Sequence, residues 1–154
     1  MTTYDRGQLV TLFPQLEWHR SAVLRCTRET SGEGKWVKAH EGHRRYGHVR
    51  IRCRPAFALS ITLEHRWPDE VSADEGSTLD RALLAGLVEE LSSGEHPAWH
   101  CHVRSVAVSY LPDDTDEQAV KIAAHLAVRD ALHKSTWKLL THPRGSSIHG
   151  EEPA

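Results

Sequence analysis

Sulfur is scarce in this chain: its 154 residues include one methionine and three cysteines. Cys26, Cys53 and Cys101 stand far apart, and without a Cys-x-x-Cys pair the paired-thiol motif of redox and metal modules is missing. The opening MTTYDRGQLV has neither the basic start nor the apolar stretch of a signal peptide. A reducing cytoplasm is therefore the expected setting. No apolar run approaches the ~20 residues that a membrane-spanning helix needs, so no membrane partner is expected. No Gly-x-x-x-x-Gly-Lys-Ser/Thr occurs, which leaves no phosphate-cradling loop and no expected cofactor. Charge of neither sign dominates: 19 basic residues face 21 acidic ones for a net of -2, so contact with a polyanion has to come from a local patch.

One such patch is written in RRYGHVRIRCRP, residues 44–55. Read with a period of two, Val49, Ile51 and Cys53 fall on one side and His48, Arg50, Arg52 and Arg54 on the other, with Tyr46 at the start of the second row. Cationic side chains at alternate strand positions stand about 7 Å apart and repel. Either acidic neighbours on adjacent strands, such as Glu64 or Glu17, neutralise them, or an anion lies across the face.

The rest of the chain reads as one domain. After Pro14, LEWHRSAVLRCTRE and KWVKAH flank the turn signal TSGEG as a hairpin, and HEGHR turns into the basic strand. AFALSITLEHRW places Phe57, Leu59, Ile61 and Leu63 on one face, so four strands precede any helix. Leu79, Leu83, Leu84, Leu87, Val88 and Leu91 predict a helix over 78–93 that stops at Gly94, with Gly86 marking a close helix contact. WHCHVRSVAVSY is a fifth strand. A second helix over 115–134 buries Ala119, Ile122, Ala123, Leu126 and Ala127, capped by Thr115 with Gln118 or by Asp114 with Glu117. The predicted fold class is α+β: a two-layer sandwich with both helices on one face of a mostly antiparallel sheet. The other face would be open, with the arginine row on it. Residues 1–13 form an N-terminal extension, 14–142 the domain and 143–154 a disordered tail.

These segments resemble domain IV of translation elongation factor G. RRYGHVRIRCRP is similar to that domain's main strand GQYGHVVID; PQLEWHR, GEGKWVKAHEGH and RALLAGLVEELSSGEHPAWHCHV are similar to its other segments in the same order, and the stretch from Ser109 to Leu140 follows without a gap. The resemblance covers about residues 14–142 and implies the fold of the second domain of a small-subunit ribosomal protein. In the family this domain is the arm that enters the decoding site of the small ribosomal subunit; similar domains occur in ribosomal protection proteins that displace tetracycline. Leu111 and Pro112 stand where the family has a histidine and an aspartate.

The expected function is that of a non-enzymatic module that binds ribosomal or other structured RNA by shape and phosphate contact. Its candidate contacts are Arg44, Arg45, Tyr46, His48, Arg50, Arg52 and Arg54, with His100, His102 and Arg104 from another strand. A protein-interaction domain is the alternative. A metal-dependent enzyme is a third reading, because His100 and His102 alternate on a strand beside His96 and Cys101, but no further ligand stands at familiar spacing and no metal is expected. Ser105, Ser109, Cys53 and Cys101 lack the strand-turn-helix elbow of a catalytic nucleophile, so no catalytic residue is assigned.

Overall fold

His40 and His43 close a two-residue hairpin turn in which Glu41 and Gly42 both adopt positive φ, 47° and 81°. Such turns match the twist of the strands they join. This one joins β3 (Thr30–His40) to β4 (His43–Pro55), as HEGHR predicts. In chain order the other elements are β1 (Thr2–Tyr4), α1 (Arg6–Leu12), β2 (Ala22–Cys26), β5 (Ser60–Leu63), α2 (Ala73–Leu91), β6 (Cys101–Ser109), α3 (Glu117–Lys134) and β7 (Trp137–Thr141). The structure, a computed structural model, describes residues 1–141, and the tail expected over 143–154 lies outside them.

The fold is α+β. Five strands form a mixed, mostly antiparallel sheet in the order β1-β5-β6-β4-β3, in which β5 and β6 alone run parallel, and α2 and α3 pack on one face of it. β6 carries one residue more than β4 along their shared length: Arg50 faces Ala107 and Ile51 faces Ser105, so Val106 is a bulge. β2 and β7 make a separate two-stranded sheet.

Several local expectations give way. TSGEG is no turn but the body of β3, and β2 pairs with β7 rather than with β3. The reason is α3. A Cβ on Gly32 would lie 2.1 Å from the carbonyl oxygen of Ala127, and one on Gly47 2.2 Å from that of Ala119, so the sheet has to be bare where the helix backbone rests on it. Ala119, Ala123, Ala127 and Ala131 line that contact, while Val120, Ala124 and Val128 are buried beside them; Ile122 and Leu126 are only half-buried. Gly86 of α2 does meet its neighbour as expected, 2.7 Å from the Ala124 Cβ were it to carry its own.

The first thirteen residues are structured. The Gln8 backbone N–H donates to Asp5 Oδ1 at 2.9 Å and the Asp5 N–H to Gln8 Oε1 at 2.8 Å, a reciprocal cap for α1 that puts a helix ahead of the long strands. Leu9 and Phe13 enter the core, and β1 pairs antiparallel with β5. α2 begins at Ala73, before the expected 78, because Ser72 caps it by accepting from the Glu75 N–H at 3.1 Å. Asp116, not Thr115 or Asp114, caps α3, accepting from the Ala119 N–H at 2.8 Å. Thr115 instead donates its hydroxyl to the Tyr46 carbonyl at 2.9 Å. Leu59, Ile61 and Leu63 are buried, but Phe57 is 70% exposed in the bend before β5, with the Arg25 guanidinium 5.1 Å from its ring centre.

Candidate nucleic-acid interface

Alternation along β4 divides the candidate residues between two environments. Val49, Ile51 and Cys53 are buried under the helices, and Arg50, Arg52 and Arg54 are exposed on the other face. Pairing then decides what stands beside each arginine. On β3, Ser31, Glu33, Lys35 and Val37 sit opposite Arg52, Arg50, His48 and Tyr46; on β6, His102, Arg104, Ala107 and Ser109 sit opposite Arg54, Arg52, Arg50 and His48.

Carboxylates claim part of this row. Arg104 donates two hydrogen bonds to Glu64, at 2.5 and 2.9 Å, and they hold the Glu64 carboxyl below its ordinary range. Arg52 reaches Glu29 at 3.3 Å. His48 is held between Ser109 Oγ at 3.1 Å and Glu33 Oε2 at 2.5 Å, and that bond lowers the Glu33 pKa. His102 packs between the hydroxyls of Ser60, at 2.5 Å, and Thr62, at 3.3 Å; its burial, then Arg54 and Arg104, depress its pKa. Arg50 and Arg54 make no ion pair among the described residues. The row thus presents Lys35, Arg44, Arg50, Arg52, Arg54 and Arg104 against Glu29, Glu33 and Glu64. Asp69, Glu70, Asp74 and Glu75 are exposed in and before the first turn of α2, so a nearly neutral chain is locally polarised.

Towards the β3–β4 turn the row ends on Tyr46. Lys35 Nζ lies 5.9 Å and the Arg44 guanidinium 6.0 Å from its ring centre, and the His48 ring is 6.4 Å away. Two of the ten candidates stand apart. Arg45 turns to the helix side, where it donates to Gln118 and lies 3.5 Å from Asp116 at the start of α3. His100 precedes β6 and bridges to Arg25 of β2, its N–H donating to the Leu24 carbonyl at 3.1 Å. A cleft at the turn is lined by Lys38, His40, His43, Arg44 and Arg45 with Asp113 and Asp116.

Sequence reading missed the β3 side of this face: Glu33, Lys35 and Val37. Counting outward from the turn at Glu41 and Gly42 would have found them, since a two-residue turn fixes the register of both strands.

Of the suspected nucleophiles, Cys53, Cys101 and Ser105 are sealed, and Ser109 is part-buried against His48. Burial pushes the Cys53 thiol up to about 12 and Cys101 well above the ordinary value, and Cys26 is raised as well. Ser105 joins an array that resembles a hydrolytic triad, its Oγ 2.5 Å from His65 Nδ1 and Asp80 Oδ1 2.7 Å from His65 Nε2. Its exposure is 0%, so no substrate reaches it and the array is structural. Among the described residues no three His, Cys, Asp or Glu side chains are grouped to hold a metal ion, and no helix is long and apolar enough to cross a membrane.

A sheet with a bare cationic face and helices on the other is the context for comparison with known proteins. The chain is 30% identical over 118 residues to an elongation factor G from Petrotoga mobilis, covering 72% of this chain and 16% of that one. It is 30% identical over 120 residues to an elongation factor G from Thermotoga petrophila, with shares of 73% and 17%. This is distant homology over one domain-sized region. The chain spans about a sixth of the length of these relatives. A crystal structure of a Thermus thermophilus protein superposes with a TM-score of 0.65 at 25% identity, over 79% of this chain and 18% of that one. No family model matches. The homology to elongation factor G and the shared fold point to a structurally related module.

Proposed function

We propose that the open sheet face binds structured RNA, with ribosomal RNA as the partner, as a non-enzymatic module related to domain IV, the translocation arm of elongation factor G. The observation that carries this reading is the pair Arg50 and Arg54. Both are exposed, neither makes a salt bridge among the described residues although Glu33 stands opposite Arg50 and feels its charge, and both lie on a strand whose opposite face is the packed core. Cations at the alternate positions 50, 52 and 54 of one strand repel each other, and a phosphate backbone laid across them removes that repulsion while releasing condensed counterions. Arg52, Lys35 and Arg44 extend the cationic surface on either side. Such a face recognises backbone shape, because the base edges of an A-form duplex are out of reach in its narrow major groove.

The test is a fluorescence titration of the triple variant Arg50→Gln, Arg52→Gln and Arg54→Gln against small-subunit RNA at several salt concentrations. Weaker binding is expected, with the slope of log affinity against log salt flatter by roughly two. The melting temperature should barely move, since exposed ion pairs are worth about 0 to 1 kcal/mol each. Unchanged affinity and slope would overturn the reading and favour a protein partner elsewhere on the surface.

A further inference from the structure

We propose that the RNA bound by this face presents an unpaired base at the end of the arginine row nearest the β3–β4 turn, and that this base stacks on the Tyr46 ring against Val37. The proposal rests on the RNA-binding reading and adds a substrate class to it: a duplex interrupted by a bulged or splayed nucleotide.

Four observations converge on the spot. Val37 and Tyr46 are cross-strand partners, and Val37 is 46% exposed, so a small apolar patch lies open at the end of an otherwise charged row. The Tyr46 backbone is clamped: its N–H donates to the Asp114 carbonyl at 2.9 Å, and its carbonyl accepts from the Thr115 hydroxyl at 2.9 Å. The next residue, Gly47, is pinned against the α3 backbone, and Tyr46 therefore faces away from the helices on a fixed mount. Finally, Lys35 Nζ and the Arg44 guanidinium lie over the ring, 5.9 and 6.0 Å from its centre, on long flexible side chains that swing aside for a stacked base and stay within reach of its phosphates.

A continuous duplex makes no use of such a platform. Its bases are stacked on one another, so it presents phosphates, 2′-hydroxyls and minor-groove base edges but no open ring face. A splayed base offers a flat π-face that any aromatic ring accepts, and a ring that is already held in place loses little freedom on binding. The phosphates flanking that nucleotide then fall to Lys35 and Arg44, and the adjoining duplex to Arg50 and Arg54.

The experiment uses the full chain and two synthetic RNA hairpins, one fully paired and one identical but for a single bulged 2-aminopurine. The expected result is binding roughly tenfold or more tighter for the bulged hairpin, with quenching of the 2-aminopurine fluorescence as it stacks. Tyr46→Ala should abolish both the preference and the quenching, and Tyr46→Phe should restore them. Val37→Glu, at an exposed position of the edge strand, provides an independent variant should Tyr46→Ala fail to fold; it too should lose the preference. Equal affinity for the two hairpins, with salt-dependent binding to both, overturns the stacking proposal and leaves the phosphate row standing. Absence of binding to either hairpin overturns both.

Discussion

Gly34 lies directly over the backbone of Ala123: a Cβ at that glycine would be 2.0 Å from the Ala123 carbonyl oxygen and 2.5 Å from the Ala127 nitrogen. Neither atom belongs to a side chain that could swing away, so α3 itself would have to lift from β3. Gly34→Ala is expected to destabilise the fold by roughly 2 to 4 kcal/mol, at or above the usual range for overpacking. Gly42→Ala is the control, because nothing stands within 4 Å of that position and only its positive φ is strained. Urea unfolding of the two variants checks the contrast; equal losses would mean that close packing is not what the β3 glycine provides.

The His65 side chain is 2% exposed, and both its nitrogens are engaged, by Ser105 and by Asp80. Asp80 Oδ1 also accepts from Trp67 Nε1 at 2.8 Å. Asp80→Ala therefore strips a partner from two part-buried groups at once, and the expected loss is about 2 to 3 kcal/mol. Trp67 fluorescence and thermal melting would report it. A variant that melts with the parent would show that water replaces the carboxylate at no cost.

His102 is expected to titrate below the ordinary histidine value, because of its burial and then the nearby Arg54 and Arg104. The unfolded chain thus takes up this proton at a higher pH than the folded one. The stability involved is fully present above the unfolded value, about 6.5, and is lost as pH falls through the folded one. Arg54→Gln removes one of the two opposing cations and should raise the His102 pKa. An NMR titration of the imidazole checks this, and an unmoved pKa would mean that burial and Arg104 set it without Arg54.

The long periodic elements are legible from sequence. The leucine pattern of α2, the alanine-rich stripe of α3 and the alternation of β4 each depend on side chains that the element itself carries. What escapes depends on partners distant in sequence. Gly32 and Gly34 look like turn formers until α3 is placed on them, and their spacing of two, against alanines spaced by four, is meaningful only when both are seen together. The α1 cap formed by Asp5 and Gln8 is written in the sequence too, but a helix of seven residues is too short for its periodicity to stand out. In the candidate interface, the arginine row and Tyr46 come directly from alternation. The assignment of Arg104 to Glu64 and of Arg52 to Glu29 requires the sheet order, as does the departure of Arg45 to the helix side.

Val106 sets β6 in two phases. Ser105 and Ser109 would share a face in an unbroken strand, yet the first is sealed in the interior against His65 and the second meets His48 on the open side. Counted along the chain the two serines differ by an even number, whereas counted along the β4 ladder, from Ile51 to His48, they differ by an odd one. The extra residue is therefore what lets one strand serve the core at its start and the open face at its end. Removing Val106 would close the ladder and leave both serines facing as they do. Straightening the strand with Val106 still in it would instead carry Val108 out to water and turn Ser109 inward, so the bulge acts as a parity switch whose state the β4 pairing holds.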